Sequence, residues 1–170
     1  MYPVNRAAMY SVIIILLLVH LTLLNYIRIG CYAPDLLLVA VIFLALFFGS
    51  GAGLEAGIVA GLGKDMLAFD YMGANTFTLA MTGLIIGALN SKFFKESKFT
   101  RTMIVFFFSA LSMSIHLFIY NALSYSHDIS FLSYAASPLL PDSLYTAVAA
   151  LPLFQILENI FGIEESADIL

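Results

Sequence analysis

Glycine recurs at every fourth position along one apolar stretch of this chain. Residues 49 to 87 contain nine of the eleven glycines. Positions four apart are neighbours on one face of an α-helix, so this spacing produces a ridge with almost no side chains that ends in a carboxylate. Small residues on a ridge let helix backbones approach closely, which is typical of helices packed inside a bilayer. The ridge consists of Gly49, Gly53, Gly57, Gly61 and Asp65.

The composition indicates an integral membrane protein. Of the 170 residues, 62% are hydrophobic and 11% are charged, and the mean hydropathy is +0.99. Such a chain has too little polar surface to cover a water-soluble globule. The formal net charge of −4 comes without a basic stripe, which argues against nucleic acid as a partner. A single cysteine excludes an internal disulfide framework.

Apolar segments predict an all-α, polytopic fold with about six transmembrane helices in a single membrane domain covering residues 1–170. A span of about 30 Å of hydrocarbon takes roughly 20 residues. Residues 36–62 leave two alternatives open, one long helix or a hairpin that turns near residues 49–51, and we favour the hairpin. Pro152 predicts a kink in the last helix. The expected helices cover residues 7–27, 36–48, 52–69, 75–91, 102–121 and 143–161.

Positive charges predict which loop faces the cytoplasm. Four of the seven basic residues lie between two apolar segments, and such clusters remain on the cytoplasmic side. They are Lys92, Lys95, Lys98 and Arg101. With six helices both termini are then cytoplasmic, and residues 122–141 form an outer loop that is a candidate contact for an extracytoplasmic partner. A five-helix arrangement with the N-terminus outside fits the charges equally well.

Several patterns resemble catalytic or binding motifs but carry little weight. Residues 51–56 match a dinucleotide-binding pattern, but that motif requires a soluble βαβ unit. Ser50 and His116 suggest a nucleophile and a base, but the sequence shows neither a base within hydrogen-bond reach nor an oxyanion site, and a hydrogen bond between helices is the simpler role for His116. The three histidines share no spacing typical of metal ligands. We therefore predict no catalytic residue, no cofactor and no metal.

Ionisable residues within apolar segments are costly and are usually retained for a partner. Glu55, Lys64 and Asp65 meet this description, although charges near helix ends also reach water at modest cost. Lys64 directly precedes Asp65, so the two are candidates for a local ion pair. A further polar patch lies near the end of the last expected helix, where solvation of the helix end explains it. Its members are Gln155, Glu158 and Asn159.

The region from residue 33 to residue 87 resembles the MreD family of rod-shape-determining proteins. In that family a Pro-Asp pair opens the second helix, glycines space the third, an acid ends it, and a Gly-x-Asn turn leads into the fourth. The resemblance places roles in partner binding or in structure on ten residues. They are Pro34, Asp35, Gly53, Gly57, Gly61, Asp65, Gly73, Asn75, Gly83 and Gly87.

The resemblance implies a non-enzymatic scaffold of the bacterial elongation machinery, embedded in the lipid bilayer of the cytoplasmic (inner) membrane. Its implied partner is the bitopic protein MreC, which links it to cytoskeletal MreB and to the glycosyltransferase and transpeptidase that build lateral peptidoglycan. The glycine ridge would then be a groove for a partner's transmembrane helix, with Asp35, Asp65 and Asn75 at its outer mouth. A homodimer is a further possibility that the sequence leaves open.

Helix number and glycine usage are also similar to the substrate-binding subunits of energy-coupling-factor vitamin transporters. In this alternative, a small vitamin-like ligand binds in an outward-facing pocket lined by residues 122–141. Such pockets combine apolar walls with a few convergent polar groups. The candidate polar groups are Asp35, Asp65, Tyr71, Asn75 and Asn121.

Overall fold

The fold is a bundle of α-helices. A computed structural model describes residues 5–22, 33–68, 73–89, 98–123 and 139–163. This part of the chain contains six helices and no strand, which confirms the predicted all-α fold. The helices are α1 (Arg6–Thr22), α2 (Leu36–Phe48), α3 (Ser50–Ala68), α4 (Ala74–Ala88), α5 (Lys98–Leu123) and α6 (Leu139–Phe161).

A break at Gly49 separates α2 from α3, so residues 36–62 form a hairpin and not one long helix. Gly49 has a φ of 90° and a ψ of −174°, a backbone conformation that residues with a Cβ atom rarely adopt. α2 has the bounds expected from the sequence, whereas α3 begins at Ser50, inside the expected turn. Pro152 lies within α6, and the helix continues past it without a break.

α2 lies at the centre of the bundle. Its sequence is apolar on every side, and residues 37–48 are all buried. A helix of this composition needs neighbours on all of its faces, and each of the other five described helices contacts it. Aromatic rings join it to α6. The ring centroids of Phe43 and Phe154 are 5.4 Å apart, and those of Phe48 and Phe161 are 5.2 Å apart.

Large apolar side chains cover the outside of the helices around α2. Each of these five helices exposes several of them. Exposed apolar side chains on so many helices suit faces that meet lipid or another protein. Examples are Ile15 on α1, Met66 on α3, Phe77 on α4, Phe107 on α5 and Leu144 on α6.

Two of the described helical stretches, Phe99–His116 and Leu139–Phe161, are long and apolar enough to cross a membrane. Shorter apolar helices cover Arg6–His20, Leu36–Phe48 and Ala74–Ala88. With 13 residues, α2 is about 20 Å long, which is less than the hydrocarbon thickness of about 30 Å. The helices are present, but six complete spans remain a prediction.

Within the described ranges, contacts between helix ends place the paired charged side chains at two opposite ends of the bundle. At one end, which we call the Asp35 end, the start of α2 lies beside the end of α3 and the start of α6, and the end of α3 lies beside the start of α4. At the other, which we call the Glu158 end, the end of α6 lies beside the start of α5, and the starts of α1 and α3 meet. Successive helices therefore run in alternating directions.

Candidate functional site

Three glycines of the predicted ridge, all but Gly49, lie where α3 packs against α4, the most extensive helix pair described. We call this surface the glycine contact, and it consists of Gly53, Gly57, Gly61, Gly83 and Gly87. A Cβ atom added to Gly57 would lie 2.4 Å from the carbonyl oxygen of Leu79. One added to Gly83 would lie 2.1 Å from the carbonyl oxygen of Gly53. The two backbones reach this separation only because these positions carry no side chain.

The glycine contact is internal to the chain, which corrects the prediction that the ridge is an open groove for a partner's helix. α4 fills this groove: Gly61 faces Thr76, and Gly87 faces Ser50. A partner helix would have to displace α4 to reach the ridge. Spacing in a sequence predicts that another backbone comes close, but it does not identify which helix supplies that backbone.

Asp65 binds the first turn of α4. The residue is 5% exposed, and its carboxylate accepts five hydrogen bonds from three residues. Backbone N–H groups of Gly73, Asn75 and Thr76 donate over 3.0, 3.0 and 2.9 Å, and the side chains of Asn75 and Thr76 donate over 2.9 and 2.5 Å. The first N–H groups of a helix have no acceptor within it, and its N-terminus attracts negative charge. Asp65 therefore joins the end of α3 to the start of α4.

Lys64 pairs with Asp35, so of the two candidate partners for Asp65, a local one and a distant one, the structure shows the distant one. The Lys64 Nζ atom lies 2.6 Å from Asp35 Oδ2. The other carboxylate oxygen of Asp35 accepts a hydrogen bond from the backbone N–H of Leu38 over 3.1 Å, which caps α2. Consecutive residues on a helix point about 100° apart, which explains why Lys64 and Asp65 reach different partners.

The segment before α2 also attaches α6. The backbone N–H of Ala33 donates to Asp142 Oδ1 over 3.2 Å, and that of Asp35 donates to Thr146 Oγ1 over 3.2 Å. Pro34, between these two donors, is buried. The Pro34–Asp35 pair identified in the sequence therefore joins α2 to both α3 and α6.

Two substitutions of Asp35 separate its two roles. Asparagine accepts an N-cap hydrogen bond but carries no charge, so Asp35→Asn leaves the partly buried Lys64 without a counter-charge and should lower the free energy of unfolding by about 1 to 3 kcal/mol. Asp35→Ala also removes the cap and should cost about 1 kcal/mol more. Reversible unfolding in mixed detergent micelles measures both. Equal losses in the two variants would show that the cap contributes nothing.

Arg101 and Glu158 form a buried ion pair between α5 and α6. Each residue is 7% exposed, and the Arg101 guanidinium lies 5.2 Å from the centre of the Phe47 ring. The solvated position predicted for Glu158 is therefore wrong, although Gln155 of the same predicted patch is exposed. Glu158 follows Phe154 by four residues and so shares the buried face of α6. That spacing is the sequence signal that identifies it as buried.

Glu55 joins α3 to α1 at the Glu158 end. Nη1 of Arg6 lies 3.4 Å from Glu55 Oε1, and the Tyr10 hydroxyl donates a hydrogen bond to the same oxygen. Arg6 is exposed and Glu55 is partly buried, so this ion pair lies at the edge of the bundle. The position agrees with the helix-end location that the hairpin predicts for Glu55.

Ser50 and His116 lie at opposite ends of the bundle. Ser50 packs against Gly87 at the Glu158 end, whereas His116 lies in the second half of α5, a helix that begins at the Glu158 end and runs away from it. α3, which has 19 residues and is about 28 Å long, separates the two ends. Within the described ranges, no three potential metal ligands lie together. The candidate site is therefore a set of contacts that join helices.

Comparison with known proteins identifies the family. A family model described as rod shape-determining protein MreD matches residues 5–162, nearly the whole chain. The resemblance based on residues 33–87 is confirmed, and the match extends it to the helices on either side. No curated protein and no solved structure matches the chain.

Proposed function

Because the chain belongs to the MreD family of rod shape-determining proteins, we propose that it is a non-enzymatic membrane scaffold of the bacterial elongation machinery. In this role it binds MreC within the membrane and supports lateral peptidoglycan synthesis. MreC links it to MreB and to the glycosyltransferase and transpeptidase. The chain is a multi-pass protein of the cytoplasmic membrane with both termini in the cytoplasm.

The observation that carries this proposal is the use of polar groups to join helices. The carboxylate of Asp65 is occupied by five hydrogen bonds to the start of α4, and Asp35 is occupied by Lys64 and by the start of α2. A catalyst keeps such groups available for its substrate, whereas a scaffold uses them to hold its helices in fixed positions. The glycine contact serves the same purpose through backbone packing.

We place the transmembrane helix of MreC on the apolar outer surface of the bundle. The glycine ridge is covered by α4, whereas the outer faces of α1, α5 and α6 carry large exposed side chains. Helices in a bilayer associate through the packing of such surfaces. Exposed side chains that suit this packing include Ile15, Phe107 and Leu144.

Membrane placement is supported by composition, surface and charge together. The mean hydropathy of +0.99 and the apolar outer faces suit a bundle surrounded by lipid. The basic residues before and at the start of α5 favour the cytoplasmic side for the Glu158 end. With helices that alternate in direction, this orientation places the Asp35 end on the outer side.

The vitamin-transporter alternative is not supported. The family match is to rod shape-determining proteins, and no solved structure of any fold matches the chain. Asp35, Asp65 and Asn75, which that alternative assigned to a ligand, are engaged in contacts between helices. Most of the segment from 122 to 141 lies outside the described residues, as does Tyr71.

Co-purification tests the proposed function. We expect the tagged full-length chain, crosslinked in native membranes and extracted in mild detergent, to retain MreC and through it the wall synthases, as identified by mass spectrometry. An unrelated tagged six-helix membrane protein from the same cells controls for non-specific recovery. Crosslinked material that lacks MreC would contradict the scaffold. Recovery of a paired ATPase with a membrane coupling subunit would instead indicate a transporter.

A further inference from the structure

Pro152 leaves a gap in the hydrogen-bond ladder on the outer face of α6. A proline has no backbone N–H, so it cannot donate to the carbonyl oxygen of Val148, four residues earlier, although the helix continues past it. Residues 149–153 are all apolar, so the next turn supplies no side-chain donor in its place. Val148 is 55% exposed, and Pro152 is also exposed. The carbonyl that lacks its helical donor therefore lies on the surface that we place in lipid.

Gln155 is a second polar group on this face. It is exposed, and its carboxamide makes no hydrogen bond within the described ranges. α6 has 23 residues and is about 34 Å long, which places Val148 about 3 Å and Gln155 about 8 Å from its midpoint. Both positions lie inside a hydrocarbon layer of about 30 Å centred on the helix. Because polar groups without partners are costly in hydrocarbon, this face suits a helix that supplies hydrogen-bond donors better than it suits lipid.

The spacing of these two polar groups distinguishes a second copy of the chain from a different helix. Val148 and Gln155 are seven residues apart, which is two helical turns or about 10 Å along the axis. Two copies in one membrane share the same orientation and form a symmetric contact, so each Gln155 would meet its own counterpart at the same depth. Each Val148 carbonyl would then face another acceptor and gain no hydrogen bond. A different helix with two donors at this spacing satisfies both groups.

We propose that the outer face of α6 binds a single transmembrane helix that carries two side-chain donors, of the serine, threonine or asparagine type, two turns apart. One donor binds the Val148 carbonyl, and the other binds the carboxamide oxygen of Gln155. Apolar side chains around these two hydrogen bonds are exposed for packing, and they are Leu144, Leu151 and Ile156. The inference rests on the proposed function, in which this helix belongs to MreC, and it narrows the docking surface from three helices to one.

Photocrosslinking in native membranes locates the partner helix. A photoreactive amino acid replaces Val148 in the full-length chain, or replaces Ile15 as the matched control, which is 57% exposed but lies on α1, a helix that packs on α2 and α3. We expect a crosslink to MreC from position 148 and none from position 15. A crosslink to MreC only from position 15, or a crosslink from position 148 only to a second copy of the chain, would overturn this inference and leave the scaffold in place. Absence of MreC from material that co-purifies with the unchanged chain would overturn the proposed function itself.

A pair of proline substitutions tests the hydrogen bond itself, with binding of purified MreC in detergent as the measurement. Pro152→Ala restores an N–H donor to the Val148 carbonyl, so the partner helix no longer gains by binding that oxygen. Pro141→Ala is the matched control, because Pro141 lies in the first turn of α6, where N–H groups have no acceptor within the helix. We expect Pro152→Ala to resist heat better and yet to bind MreC about threefold more weakly, the effect of one hydrogen bond between membrane helices, whereas Pro141→Ala binds normally. Unchanged binding by Pro152→Ala would overturn the role assigned to Val148.

Discussion

Gly57→Ala is expected to lower the free energy of unfolding by about 3 kcal/mol, the upper part of the range for overpacked sites. The added methyl group would lie 2.4 Å from Leu79 O, 2.6 Å from Leu79 C and 2.7 Å from Ala80 Cα. All three are backbone atoms, so no side chain can rotate away and α3 must separate from α4. Reversible unfolding in mixed detergent micelles measures the loss.

Gly51→Ala is the matched control for this prediction. Gly51 lies on the same helix, and a Cβ atom added there meets nothing within 4 Å. Alanine is the better helix former, so Gly51→Ala should leave stability unchanged or raise it by up to about 1 kcal/mol. Equal effects of Gly51→Ala and Gly57→Ala would show that helix propensity, and not the glycine contact, determines stability.

Asp65→Ala should be similarly severe, with a loss of about 3 to 5 kcal/mol. The change leaves three backbone N–H groups at the start of α4 and two side-chain donors without their acceptor. A fully buried donor that loses a charged partner costs roughly 1 to 3 kcal/mol. The donors here are only partly buried and their losses are not additive, so the total stays well below five times that value. Asp65→Asn should recover little of this loss. Asparagine replaces one carboxylate oxygen with an NH₂ group, and this hydrogen-bond donor would face the N–H and O–H donors at the start of α4.

Met66→Ala controls for a change at the end of α3. Met66 adjoins Asp65 in the sequence but is 66% exposed, so its truncation should cost little in the folded bundle. Hydrogen exchange adds a local test, since loss of the cap should increase exchange at the first turn of α4 before the rest of the helix. Protection of Asn75 and Thr76 that survives Asp65→Ala would contradict the assigned role.

The sequence predicts the positions of the helices and the glycine packing well, because both depend on local patterns. The bounds of α2 follow from an apolar run between Asp35, which caps it, and Gly49, whose positive φ ends it. The fourfold glycine spacing correctly indicates a close backbone contact. It does not distinguish a partner's helix from α4, since the same ridge suits either one.

Pairing between distant residues was the part that local patterns could not supply. Lys64 and Asp65 are adjacent in the sequence, yet their side chains leave the helix in different directions and bind different elements. Local sequence patterns assign Arg101 to a charged cytoplasmic loop. They assign Glu158 to a solvated helix end. Their burial depends on how α5 packs against α6, which neither segment specifies alone.

The glycine contact and the polar contacts at the Asp35 end have a shared consequence for function. The first holds α3 on α4 along their length, and Asp65 and Asp35 fix the ends of four helices relative to one another. In the scaffold role proposed above the chain acts through bound partners, and that role needs an outer surface of constant form. Loosening the interior should therefore weaken partner binding even though the substituted residue does not touch the partner.

Cell shape under depletion tests this account most directly. In the bacterium that encodes the chain, the native copy is depleted and replaced by wild type, Gly51→Ala or Gly57→Ala at matched membrane amounts. Cell width and length are then measured by microscopy. We expect rods with wild type and Gly51→Ala, and rounded cells with Gly57→Ala. Rods that persist after depletion, or rods of normal width with Gly57→Ala, would contradict it.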